Sequence, residues 1–372
     1  MTIHHLILLC DFLAGILIGG TIIMLLLKIA YNNRIFDIPG TRKVHELPIP
    51  RLGGMSFLPA VIIIVASTIV VLYSRNLTSV SFGENAHFVQ MTYMLVSAVI
   101  LYLIGVTDDL SNLDYRVKLV FQFIASAVLV FAGLRIGNFY GMFGLHEIPA
   151  WFGIPFTILL LMFVTNAINM IDGIDGLASG LCLISLGLIF VMYFVERKFV
   201  YAMVDAAVMG ALLAFWLFNM FGKREKRTKI FMGDTGSLTL GLFLSYLVVN
   251  LGVFVGHRGL TEHRNTIYFT LAFASLMIPL LDVIRLFFFR IRNHRSPFLP
   301  DMNHVHHKLL RCGFSARKTL WIILGADLFV IALDAALSLI PLDVNLIFVL
   351  DVLLYTVWIW QINRHMKPLP EA

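Results

Sequence analysis

The stretch FTILLLMFVTNAINMIDGIDGL, residues 156–177, sets a nearly unbroken apolar run against Asn166, Asn169, Asp172 and Asp175. The apolar part does not alternate, so it reads as a buried helix and not as a half-exposed strand. The four polar residues then recur at every third position. A helix that ends this way runs through a hydrocarbon layer and emerges at a polar boundary. The rest of the chain repeats that pattern.

The chain has 372 residues, 59% of them hydrophobic and only 13% charged, with a mean hydropathy of +0.88. A soluble domain of this size has no interior able to hide so much apolar surface. Runs of about 20 apolar residues instead match the thickness of a bilayer. The expected fold is therefore an all-α polytopic membrane bundle, because only helices satisfy their own backbone groups in lipid without closing a barrel. Eleven spans are expected, near 7–29, 53–73, 88–106, 119–134, 151–168, 179–195, 199–221, 237–255, 267–289, 320–340 and 344–362. No connecting segment is long enough for a soluble domain. Residues 1–372 read as one membrane domain, with a core over about 37–318 and two further helices within 320–362.

The N-terminal MTIHHLILLCDFLAG lacks the basic start of a cleaved signal peptide. Cys10, Cys182 and Cys312 are scattered, which argues against a disulfide framework or a cysteine metal site. Of the 28 Lys and Arg residues, 22 fall on loops of one side. The positive-inside rule puts those loops and the C-terminus in the cytoplasm and the N-terminus outside. A basic cytoplasmic face suits anionic head groups and phosphorylated substrates, and requires no nucleic acid.

Five polar clusters all fall on that cytoplasmic side: RKVHELPIPRLGG (42–54), VTDDLSNLDYRVK (106–118), NAINMIDGIDGL (166–177), KIFMGDTGS (229–237) and SPFLPDMNHVHHKLL (296–310). One shared site is the economical reading. Asn166 and Asn169 share a helix face, and Gly173 and Gly176 break the helix so that Asp172 and Asp175 can turn back toward it. Carboxylates with an amide oxygen suit a hard cation such as Mg2+. Alone, the same stretch also reads as a polar loop with Asp and Gly as turn formers.

In Asp108-Asp109, one acid can take a proton or attack phosphorus while the other orients it or helps hold a metal. A solvated helix cap is the plainer reading of that pair in isolation. Asn112 and Lys118 lie further along the same loop, and Lys118 can steady phosphate charge. Asp234, between Gly233 and Gly236, is the preferred metal ligand; its motif lacks the Lys-Ser/Thr ending of a Walker loop. His304, His306 and His307 lack the spacing of a helical zinc site and suit hydrogen bonds to phosphate or sugar oxygens. Acids within spans (Asp205, Asp282, Asp327, Asp334 and Asp351) raise a transporter reading. The strongest clusters lie at helix ends, however, and Arg285 offers Asp282 a local ion pair.

Taken in order, VTDDLSNLDYRVK, NAINMIDGIDGLASG, KIFMGDTGSL and PDMNHVHHKLLRCGFS resemble the polyprenyl-phosphate N-acetylhexosamine-1-phosphate transferases. The interrupted H-x-H-H is similar to the branch that transfers N-acetylglucosamine-1-phosphate for surface glycans. The resemblance implies transfer of a sugar-1-phosphate from a UDP-sugar to polyprenyl phosphate in the bacterial cytoplasmic membrane, with Mg2+ required and Mn2+ as a substitute. UDP-GlcNAc is the expected donor, with UDP-GalNAc or UDP-MurNAc-pentapeptide as alternatives, and a homodimer is left open. Asp108 and Asp109 match the family's paired acids, one of which activates the lipid phosphate. Asp172 and Asp175 match the acids of the sugar-transferase loop. Asn169 and Asp234 match metal-holding positions. Asn112, Lys118, Asn166, His304, His306 and His307 match substrate contacts. Arg42, Lys43, His45 and Arg51 follow the family's pattern only loosely.

Overall fold

The computed structural model describes residues 3–36, 49–77, 85–255, 262–294, 296, 302–340 and 342–366. Arg42, Lys43, His45 and residues 297–301 of the histidine motif lie outside the described residues. Thirteen helices follow in order: α1 (Ile3–Asn33), α2 (Phe57–Ser74), α3 (Asn85–Ser111), α4 (Tyr115–Phe131), α5 (Ala150–Ile171), α6 (Leu177–Val195), α7 (Phe199–Phe221), α8 (Gly233–Val255), α9 (Glu262–Ala274), α10 (Met277–Arg292), α11 (Val305–Arg311), α12 (Ala316–Leu337) and α13 (Val344–His365).

Among the described residues, nine helices are long and apolar enough to cross a membrane. The count becomes ten only when α9 and α10, bent by 63° where they meet, are taken together as one broken span; a pair bent in this way also fits a re-entrant loop. All eleven expected segments lie on helices, with two departures in detail. The segment at 267–289 is that bent pair. The one at 119–134 is α4, whose 17 residues rise only about 26 Å at 1.5 Å per residue, slightly less than the hydrocarbon layer. It starts early because the Asp114 carboxylate accepts from the Arg116 N–H at 2.8 Å, an N-cap that satisfies one of the first-turn donors.

Helix α8 is central: 89% of its most apolar 18-residue window is buried, against 28% for α12 and for α13. Its entry is reached through close backbone approach. A Cβ on Gly105 of α3 would lie 2.3 Å from the Thr235 Cα, and one on Gly54 would lie 2.0 Å from the Gly236 Cα. Small residues let membrane helices approach where no hydrophobic difference from lipid drives them together. The segment after residue 49 fastens the same entry, since Gly53 N–H and Gly54 N–H donate to Phe231 O and Met232 O, each at 2.9 Å. One apolar core wraps α8. A smaller one unites the α5–α6 junction with α10, α11, α12 and α13. The α3–α4, α5–α6, α7–α8 and α10–α12 junctions therefore share one end of the bundle.

Candidate active site

The two adjacent acids at the end of α3 face different groups. Asp109 turns to the N-terminus of α8. Its Oδ1 accepts from Asp234 N–H at 2.8 Å. Its Oδ2 accepts from Thr235 N–H at 2.9 Å and Thr235 Oγ1–H at 2.6 Å. The first N–H groups of a helix have no partner within it, and the carboxylate of another helix supplies one here. Gly233 makes this possible at φ +73°, where a Cβ would lie 2.6 Å from Asp109 Oδ2.

Asp108 turns the other way. Lys118 Nζ donates to its Oδ2 at 3.0 Å and to Asp234 Oδ2 at 2.7 Å. Leu113 N–H holds the remaining Asp108 oxygen at 2.6 Å. Asn169 Nδ2 donates to Asp234 Oδ1 at 3.1 Å and to Ser237 Oγ at 2.7 Å. Four expected residues from four helices (Asp108, Lys118, Asn169 and Asp234) thus form one continuous polar set. Both Asn169 bonds use its N–H2, which leaves its carbonyl oxygen available to a cation.

The break after α5 also forms as expected. The helix ends at Ile171, and Gly176 at φ +76° carries the chain into α6. Asp172 is exposed at the break. Desolvation, followed by the negative charges of Asp234 and Asp175, pushes its carboxyl up to about 7. Asp175 is instead committed to Lys229, 2.6 Å away. Asn219 in the last turn of α7 ties this loop down, its Oδ1 accepting from Gly176 N–H at 2.6 Å and its Nδ2 donating to Ile230 O at 2.9 Å. Asn166 forms a side-chain amide pair with Gln122 of α4. Asn112 is exposed at φ +52°. It closes the end of α3 in the left-handed conformation that Asn tolerates.

The histidines reach the site from its far side. The His306 ring lies over Gly173, where a Cβ would approach its Nε2 to 2.0 Å. His306 is 1% exposed, and neither ring nitrogen has a partner among the described residues. Burial, then the neighbouring His307 and His304, hold its pKa well below the ordinary imidazole value. It stacks on His304 at 5.6 Å between ring centroids and meets His307 at 4.2 Å with the rings tilted by 45°. His304 Nδ1 lies 2.8 Å from Asp282 Oδ2, and Arg285 also binds Asp282, at 2.7 Å. The expected Asp282–Arg285 pair exists, and Asp282 serves the histidine loop as well. Asp334 and Asp351 meet across α12 and α13 in a hydrogen bond. Asp205 and Asp327 are buried with no partner among the described residues.

The probable undecaprenyl-phosphate N-acetylglucosaminyl 1-phosphate transferase of Bacillus subtilis (strain 168) is 31% identical over 87% of this chain and 83% of that protein. The chain belongs to glycosyl transferase family 4. That family's model matches residues 91–252, which span α3 through most of α8 and carry every acid of the central set. The undecaprenyl-phosphate alpha-N-acetylglucosaminyl 1-phosphate transferases of Yersinia pestis and Salmonella typhi are each 29% identical. They cover 91% and 93% of this chain and 89% and 90% of their own lengths. The histidine loop lies beyond the matched family 4 segment, yet the fold returns it to the same end.

Several residues of this family 4 site escaped the sequence reading. Gln122 stands one turn after Lys118 on α4, a spacing that placed it on the same face. Asn219 is an isolated amide in the last turn of an apolar helix. Thr235 sat inside a quoted motif without a role.

Proposed function

We propose that the protein transfers GlcNAc-1-phosphate from UDP-GlcNAc to undecaprenyl phosphate, releasing UMP and leaving undecaprenyl-pyrophosphoryl-GlcNAc in a bacterial cytoplasmic membrane. The observation that carries this is the Asp108–Lys118–Asp234–Asn169 set at the common end of membrane-length helices. A lipid phosphate and a soluble nucleotide can meet only at such a boundary. The names of the curated relatives support the sugar and the lipid, and the charge asymmetry of the loops supports a cytoplasmic-facing site.

In this reaction an oxygen of the lipid phosphate forms a bond to the phosphorus that carries the sugar, and the bond from that phosphorus to the bridging oxygen of UMP breaks. Both partners are anionic, so the site must first offset their repulsion. Lys118 places a cation between Asp108 and Asp234. Asp108 faces the reacting phosphates and accepts the proton of the lipid phosphate. Asp109, with both oxygens on the α8 terminus, is a positioning residue that fixes Asp234.

The donor set suits Mg2+. Among the described residues, no three His, Cys, Asp or Glu side chains stand together as a ready-made metal cage. That fits an ion which takes one or two carboxylates and completes its shell with substrate phosphate and water. Asp234 and the Asn169 carbonyl would hold it, and the uncommitted Asp172 adds negative charge nearby. When bound, Mg2+ supplies charge neutralisation of the diphosphate and of the departing UMP.

The test is UMP release by purified protein with undecaprenyl phosphate, in Mg2+ or in EDTA, with UDP-GlcNAc or UDP-MurNAc-pentapeptide as donor. Mg2+-dependent turnover of UDP-GlcNAc alone is expected. Turnover of the pentapeptide donor alone would keep the chemistry and reject the sugar. Turnover undiminished in EDTA would reject the metal.

A further inference from the structure

The last helix, α13, lies far along the chain from the central acids, yet it reaches the histidine loop through one hydroxyl. Tyr355 Oη donates to Asp282 Oδ1 at 3.0 Å. The same oxygen accepts from Arg285 Nη2 at 2.7 Å and from Val305 N–H at 3.1 Å. The other, Oδ2, meets His304 Nδ1 at 2.8 Å. Asp282 is 0% exposed and Tyr355 9%. A buried carboxylate that accepts four donors holds them in fixed mutual geometry.

The Nδ1 contact directs the other nitrogen of His304 away from Asp282. Its ring stacks on His306, and His306 covers Gly173. Lys308 fastens the same loop to α13 at a second point, donating to Asn363 Oδ1 at 2.5 Å. A chain of contacts therefore runs from Tyr355 through Asp282 and the stacked imidazoles to the loop that carries Asp172.

We infer that Tyr355 is a positioning residue for the nucleotide half of the site, acting through Asp282 to set the histidine loop against Gly173. This rests on the transferase reading above. Tyr355 touches neither Asp108, Lys118 nor Asp234 in any contact described, so its influence falls on the sugar nucleotide and not on the lipid phosphate.

Tyr355→Phe removes the hydroxyl and keeps the ring. Its expected effect is a rise in KM for UDP-GlcNAc of about fivefold, the scale of one hydrogen bond. The kcat and the KM for undecaprenyl phosphate stay within about twofold. Asp282→Asn, which weakens the hub itself, raises the donor KM further, and Tyr355→Phe added to it has little additional effect. Calorimetry with UDP alone reads the same proposal independently of turnover: the variant binds UDP more weakly than the wild type. An unchanged donor KM and UDP affinity overturn the inference. So do equal losses for both substrates, or full additivity with Asp282→Asn, since each would mark Tyr355 as ordinary packing. A wild type that binds UDP, and loses affinity on Tyr355→Phe, but does not turn over UDP-GlcNAc would overturn the reaction reading and uphold this one.

Discussion

Two carboxylates, the half-buried Asp109 and the fully buried Asp282, organise the two halves of this site by different means. Asp109 works at a junction made of backbone. It caps α8 across a contact where Gly54, Gly105 and Gly233 bring main chains together with no room for a Cβ. Asp282 works at a junction made of side chains, where Arg285, His304 and Tyr355 converge from separate elements. The first is all-or-none, because backbone overlap has no partial remedy. The second is graded, because each donor can be removed singly. The half that holds charge against charge is the rigid one. The half that carries the histidine loop is built from parts that can be exchanged.

The sharpest way to break this contrast is to add a methyl group to the backbone junction. Gly105→Ala and Gly54→Ala place a Cβ within 2.3 Å and 2.0 Å of a main-chain atom. Overpacking ordinarily costs ~1–3 kcal/mol, and with backbone on the far side these variants should fall at or beyond the top of that range. Little folded protein should be recovered from detergent, and wild-type yield and thermal midpoint in either variant would show that the junction is softer than described.

Next comes the separation of the adjacent acids. Asp108→Asn should lower turnover by about 10²–10³-fold with an unchanged thermal midpoint, because the proposed reaction places it against the reacting phosphates. Asp109→Asn should lower both turnover and midpoint. Asn keeps one acceptor oxygen but turns an N–H2 toward a donor where an Asp109 oxygen now accepts. That costs about 1–3 kcal/mol, and the Asp234 that Asp109 fixes would shift with it. Equal midpoints for the two variants would erase the distinction drawn between them.

A smaller effect should come from Lys229→Met, which leaves Asp175 without its cation. The loop is still held by Asn219, so turnover should fall by only about two- to fivefold, in line with one partly exposed ion pair. The smallest effect concerns pH. The Asp172 carboxyl is raised to about 7 in the folded protein against the ordinary carboxylate value of 3.8. Folding therefore binds a proton between those values, and this group's contribution to stability falls as pH rises through 7. Asp172→Asn removes that loss, so its thermal midpoint relative to wild type should be higher at pH 8 than at pH 5. The opposite trend would contradict the crowding of acids at the cleft.

Much of the bundle was legible because apolar runs set where helices can lie, and the polar clusters showed which ends belong together. What stayed hidden depended on partners distant in sequence. The start of α8 was expected near 237 but falls at Gly233, because its cap belongs to α3 and no local residue announces it. Asp108 and Asp109 were indistinguishable as a dipeptide; only the fold shows which meets lysine and which meets backbone. Asn166 was expected to contact substrate, and Gln122 now occupies its amide. Tyr355 carried no signal at all, being one aromatic among many in an apolar helix. The α12 start was likewise expected near 320 and falls at Ala316, although its cap is local, with Ser315 Oγ accepting from Lys318 N–H at 3.3 Å.

The seat of His306 on Gly173 has a consequence for how such a protein can change over generations. The imidazole occupies the space that any side chain at 173 would need, so position 173 is not free to enlarge alone. A substitution that enlarges 173 becomes tolerable only after the ring at 306 has shrunk, and the intermediate in the other order is lost. The two loops, more than a hundred residues apart in the chain, are thus bound to a shared history, and a laboratory selection that starts from Gly173→Ala should recover its second-site revertants at 306.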